Sequence, residues 1–178
     1  MKKDFKFIVD LIDDFTSQDN IIERLNIIEN KNITGWEIWF QIEFASFLSN
    51  HSDIGNWFRE CSFAIDGRKD KNKNKMLVDF LIRKKNHKQE SYIALEIKQN
   101  KSIDSCISKM IDDIIKVKKR VPSSTELRSF WSIGIHPYKN IDEIRYKIEK
   151  KQEEKQFTLD KFIEIQQIKN TNFVFTIF

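Results

Sequence analysis

The chain has 178 residues, 40% of them hydrophobic and 33% charged, with a formal net charge of +4. That length and balance suit one folded domain with its own core and exclude a disordered polyelectrolyte. They also exclude a polycation, so attraction to nucleic acid has to come from local clusters: Arg68 to Lys75, Arg83 to Lys88 and Lys116 to Arg120. Taken alone, each cluster reads first as a solvated loop or helix face. Cys61 and Cys106 are too few for a disulfide framework, lack metal-ligand spacing, and read as reduced thiols. His51, His87 and His136 have no zinc spacing, and no glycine-rich phosphate loop occurs. No apolar run approaches a membrane span, and Met1-Lys2-Lys3-Asp4 leads into acids rather than a signal-peptide core, so the expected address is the cytoplasm.

In chain order, Phe5, Ile8, Leu11, Ile12 and Phe15 at helical spacing predict a first helix. Asn20 and Glu23 have the spacing of a capping pair and predict a second, carrying Ile21, Ile22, Leu25 and Ile28. Thr34 and Glu37 have capping-box spacing and predict a third helix to about Ser49. On its aromatic stripe of Trp36, Trp39, Phe40 and Phe47 sits Glu43, an acid expensive to bury unpaired. Glu43 either pairs with a Lys or Arg or reaches solvent, or it is the functional acid that this helix delivers to the sheet, the reading preferred here; Glu37 has a sufficient explanation as the cap.

Trp57 to Ile65 predicts a strand, Asp66-Gly67 a turn, and a Lys/Asn-rich loop leads to Lys75. Met76-Leu77-Val78-Asp79-Phe80-Leu81-Ile82 then reads as a buried strand holding one carboxylate. After a polar connection, Ser91 to Lys98 reads as its antiparallel partner, with Glu96 and Lys98 on one face by the period-two rule. Asp79 can then lie beside Glu96. Two carboxylates and an ammonium in so small a space demand resolution, which a divalent cation supplies.

Ile103, Ile107, Met110, Ile111, Ile114 and Val117 predict a helix stopped near Pro122, and Phe130 to His136 a strand stopped by Pro137. Strand, helix, strand makes a crossover, so this last pair is expected to be parallel. Ile141 to Lys155 reads as a charged helix; residues 158 to 168 are ambiguous between helix and strand, and Asn172 to Phe178 reads as an edge strand or packed tail. The chain is read as a single domain, with N-terminal helices at 1–33, a core at 34–136 and a C-terminal extension at 137–178.

Val78-Asp79, sixteen intervening residues, then Glu96-Ile97-Lys98, with Gln41-Ile42-Glu43 on the preceding helix, resembles the PD-(D/E)XK nuclease superfamily over about residues 34 to 136. Val78 stands where the family often has proline. The resemblance implies an α/β, restriction-endonuclease-like mixed sheet, an antiparallel meander plus a parallel strand, flanked by helices. It also implies that Asp79, Glu96 and the Ile97 carbonyl hold Mg²⁺ or Mn²⁺, with Glu43 completing the shell and Lys98 orienting or deprotonating the attacking water. Phosphate tracking would fall to Lys71, Lys73, Lys75, Arg83, Lys84 and Lys85. The expected function is metal-dependent cleavage of DNA or RNA phosphodiesters in bacterial defence or competition, by one copy or a homodimer. The competing expectation is a non-catalytic protein with a nuclease-like fold: an immunity or antitoxin protein covering a toxin partner, or a subunit of a larger defence complex. Neither reading involves a membrane.

Overall fold

The computed structural model describes residues 1–64, 75–89, 91–120 and 127–178. Within them five helices and six strands follow the order α1 (Lys2–Thr16), α2 (Asp19–Asn30), α3 (Glu37–Asn50), β1 (Ile54–Ala64), β2 (Lys75–Lys84), β3 (Tyr92–Gln99), α4 (Ile103–Arg120), β4 (Leu127–Pro137), α5 (Ile141–Glu154), β5 (Glu164–Gln167) and β6 (Phe173–Ile177). The expected Asp66-Gly67 turn and the helix stop at Pro122 lie outside the described residues.

The strands form one mixed sheet ordered β1-β2-β3-β4-β6-β5. β1, β2 and β3 make the expected antiparallel meander, and Asn86, at φ 63°, supplies the left-handed residue of the β2–β3 connection. β3 and β4 are parallel, with α4 as the crossover, and the remaining pairs are antiparallel. The ambiguous segment at 158 to 168 contains a short strand rather than a helix, and this changes the place of the chain's end. β6 is not an edge strand. It lies between β4 and β5, and its five residues are all buried.

Period-two alternation splits the side chains of the sheet between two cores. On one face Phe80, Ile82, Ile93, Leu95, Ile97, Ile133, Ile135, Phe175 and Ile177 pack with Ile8, Leu11, Ile12, Phe15, Leu25, Phe40 and Phe44 of α1 to α3. On the other, Val174 and Ile165 pack with Ile107, Met110, Ile111 and Ile114 of α4 and with Ile144 and Ile148 of α5. The result is three layers, helix, sheet, helix.

Two expected helix caps are absent. α2 is preceded by Gln18 and α3 by Trp36, and neither makes a side-chain capping bond. Thr34 and Glu37 therefore do not form a capping box, which frees Glu37 for the contact described below. On the second face α4 sits close to β4 because Gly134 has no side chain: a Cβ there would overlap Met110 Sδ and lie 2.9 Å from Cys106 Sγ. Gly134 is the register partner of Lys98, so this close approach fixes how near α4 comes to the charged end of β3.

Candidate functional site

The β2–β3 ladder runs through Ile82↔Ile93, Leu81↔Ala94 and Phe80↔Leu95 and stops there. Beyond that point the Asp79 side chain takes the role a strand carbonyl would have played. Its Oδ2 accepts the Ile97 N–H at 2.7 Å. A carboxylate wedged into a strand gap satisfies a buried donor and keeps its other oxygen for something else.

Glu96 and Lys98 lie on the same face of β3, and Lys98 Nζ donates to Glu96 Oε1 at 2.6 Å. Lys98 Nζ also lies 3.5 Å from Asp113 Oδ2, brought in by α4, while Lys116 Nζ donates to Asp113 Oδ1 at 2.7 Å. At the end of β3, Glu37 Oε2 accepts the Gln99 N–H at 2.9 Å. A cleft of about 110 Å³, lined by Leu77, Val78, Glu96, Asp113, Lys116, Val117 and Phe130, opens beside the cluster.

Burial and the neighbouring carboxylates both act on the acids here. Burial, then the Asp79 carboxylate, pushes Glu96 up to about 7, although Lys98 works against the shift. Burial also raises Asp79, against the Ile97 hydrogen bond and the Lys98 charge, with Glu37 and Asp113 adding to the rise. For Lys98, burial disfavours the ammonium but the Glu96 carboxylate outweighs it, so its affinity for the proton rises and it stays charged.

The structure thus brings together Asp79, Glu96, the Ile97 backbone and Lys98, as the sequence led us to expect, and does not bring Glu43 to them. The Glu43 carboxylate is held by Arg24 of α2 and accepts the Trp39 indole N–H at 3.2 Å. Its place on an aromatic stripe is explained by those two donors. The helical acid that reaches the cluster is Glu37. Asp113 also escaped the sequence reading, although the signal was there: it follows Cys106 and Met110 at helical spacing on the apolar face of α4. Glu60, between the paired Arg59 and Cys61 of β1, has φ 55° and turns its carboxylate to Arg59 at 2.8 Å, outside the cluster.

The basic candidates divide. Lys71 and Lys73 lie outside the described residues, as does the side chain of Lys75. Arg83 and Lys84 at the far end of β2, and Lys85 just past it, lie about 13 to 20 Å of extended chain from Asp79. Two of them have local work there: Arg83 donates to the His87 carbonyl at 3.2 Å, and the Lys84 ammonium lies 4.2 Å from the centre of the Phe7 ring.

No family model, curated protein or solved structure matches the chain. Among the described residues no helix is long and apolar enough to cross a membrane.

Within the same residues no group of three or more His, Cys, Asp or Glu side chains is arranged to hold a metal ion. The donors present are two carboxylates, Asp79 and Glu96, and they fit Mg²⁺ or Mn²⁺ better than a softer ion. Such cations take oxygen ligands, retain several waters, and are commonly bound through one or two carboxylates together with substrate phosphate. Burial, with neighbouring carboxylates adding to it, raises the proton affinity of both acids, and a divalent cation would favour their ionised forms.

Proposed function

We propose that the chain is a divalent-cation-dependent nuclease of the restriction-endonuclease-like type, acting on nucleic-acid phosphodiesters, with DNA the first substrate to test. The observation that carries this reading is the parting of β2 and β3 at Asp79. It leaves two half-buried carboxylates and a charged lysine close together beside a cleft.

Asp79, Glu96 and the Ile97 carbonyl would hold Mg²⁺ or Mn²⁺, and the Ile97 N–H fixes the orientation of the Asp79 carboxylate. Bound there, the cation supplies polarisation of the phosphodiester and a lowered pKa for water. Lys98, kept protonated by its acidic surroundings, orients the attacking water and offers a positive charge to the phosphate. Glu37 takes the role first expected of Glu43, adding negative charge at the end of β3 while its carboxylate holds the Gln99 N–H. Lys71, Lys73 and Lys75 precede Asp79 in the chain and are the better candidates for phosphate contact; Arg83, Lys84 and Lys85 are the poorer ones.

One observation favours the second reading, a non-catalytic binding protein such as an immunity or antitoxin protein. The Lys98 ammonium already rests on Glu96, so the site has a counter-ion of its own. Digestion of plasmid DNA and of RNA with Mg²⁺ or Mn²⁺, comparing wild type with Asp79→Asn and Lys98→Ala, separates the two. Cleavage that needs the cation and is lost in both variants supports the nuclease. Absence of cleavage with either cation, together with no Mn²⁺ binding by the wild-type protein, overturns it in favour of the binding protein.

A further inference from the structure

Asp113 is 8% exposed, and its two oxygens are treated differently. Oδ1 accepts from Lys116 at 2.7 Å, whereas Oδ2 is buried and accepts no hydrogen bond. A buried carboxylate oxygen without a donor is costly and calls for an explanation. On the side of β3 the Lys98 Nζ lies 3.5 Å from Oδ2, in ion-pair range but beyond good hydrogen-bonding distance. That same Nζ donates to Glu96 Oε1 at 2.6 Å. The ammonium thus stands between two carboxylates, bonded to one and short of the other.

The helix is firmly placed for this. Asp113 follows Met110 by three residues, and Met110 packs directly over Gly134, the register partner of Lys98. Movement therefore falls to the lysine, whose long side chain can swing with little cost to the backbone.

We infer that Asp113 is a positioning residue, a second seat for the Lys98 ammonium, which moves from Glu96 Oε1 to Asp113 Oδ2 when a divalent cation takes the Glu96 carboxylate. The inference rests on the proposed cation site at Asp79 and Glu96, and gives a reason for the Asp113 oxygen left without a donor. It also removes the obstacle raised by the resident counter-ion: Lys98 need not leave the site for Glu96 to become a ligand.

The test is Mn²⁺ binding, measured by calorimetry without nucleic acid, in wild type, Asp113→Asn, Lys98→Met and the double variant. If Asp113 acts as the second seat, Asp113→Asn weakens Mn²⁺ binding by about tenfold in the wild-type background and by much less once Lys98 is Met, because the ammonium no longer needs a destination. An equal loss in both backgrounds means that Asp113 acts on the cation by its own charge, and overturns the inference; so does no loss. As a second measurement on native-sequence protein, the Asp113 carboxyl carbon resonance should shift on titration with Mg²⁺ and stay in place in Lys98→Met. Loss of Mn²⁺ binding coupled through Lys98 but without cleavage of any nucleic acid would retire the nuclease reading and leave this one standing. Wild-type protein that binds no Mn²⁺ overturns both.

Discussion

Replacing Asp79 by Asn and by Ala separates its two tasks. Asn keeps an oxygen that can accept the Ile97 N–H, which sits at 2.7 Å from the present carboxylate, and Ile97 is fully buried. Ala removes the acceptor and orphans that donor, a cost of about 1–3 kcal/mol for a buried amide. Both variants delete a carboxylate whose proton affinity burial has raised. A group raised in the folded state contributes stability below its unfolded pKa and loses it as pH rises through the folded value, so deleting the charge helps most at alkaline pH. Asn should therefore exceed Ala by about 1–3 kcal/mol at pH 8, which for a chain of this size is about 2–12 °C in melting temperature. Urea unfolding followed by fluorescence of the four tryptophans reads the difference directly. Mn²⁺ should raise the melting temperature of wild type and of neither variant. Equal stability of Asn and Ala would refute the claim that Asp79 substitutes for a strand carbonyl, whatever becomes of the cation.

The other expectations follow from neighbouring contacts. Glu37→Ala should weaken Mn²⁺ binding measurably by calorimetry and Glu43→Ala should not, the latter costing at most about 1 kcal/mol in urea unfolding for a partly exposed pair with Arg24. The Glu96 carboxyl, moved from 4.5 to about 7, makes wild type lose stability as pH rises through that window relative to Glu96→Gln, by up to about 3 kcal/mol; parallel pH profiles for the two proteins would contradict the assigned burial. Gly134→Ala should destabilise by about 1–3 kcal/mol through overlap with Met110, and adding Met110→Ala should recover part of the loss in thermal melts.

The meander, the crossover helix and the parallel strand were legible because each rests on local periodicity and on connections too short or too long for any other arrangement. Asp79, Glu96 and Lys98 were legible for a related reason: charge inside an apolar strand announces itself, and alternation fixes which charges share a face. The choice between Glu37 and Glu43 was not legible, since both are acids on one helix and their partners, the Gln99 amide and the Arg24 guanidinium, come from distant parts of the chain. A local capping pattern offered a plausible use for Glu37 that the backbone never took up. The same limit hid the place of β6, whose interior position depends on β5 lying outside it. What sequence alone identifies, then, is where a charge is out of keeping with its surroundings; which partner resolves it is a property of the fold. At Glu43 a guanidinium and an indole N–H, from Arg24 and Trp39, both donate to Oε1 of a carboxylate that is partly open to solvent. Around Asp79, Glu96 and Asp113, carboxylates outnumber the ammonium groups that reach them and one buried oxygen of Asp113 has no donor. That contrast between a paired acid and a crowded group is the physical reason for proposing cation binding at the strand gap and not on the aromatic face of α3.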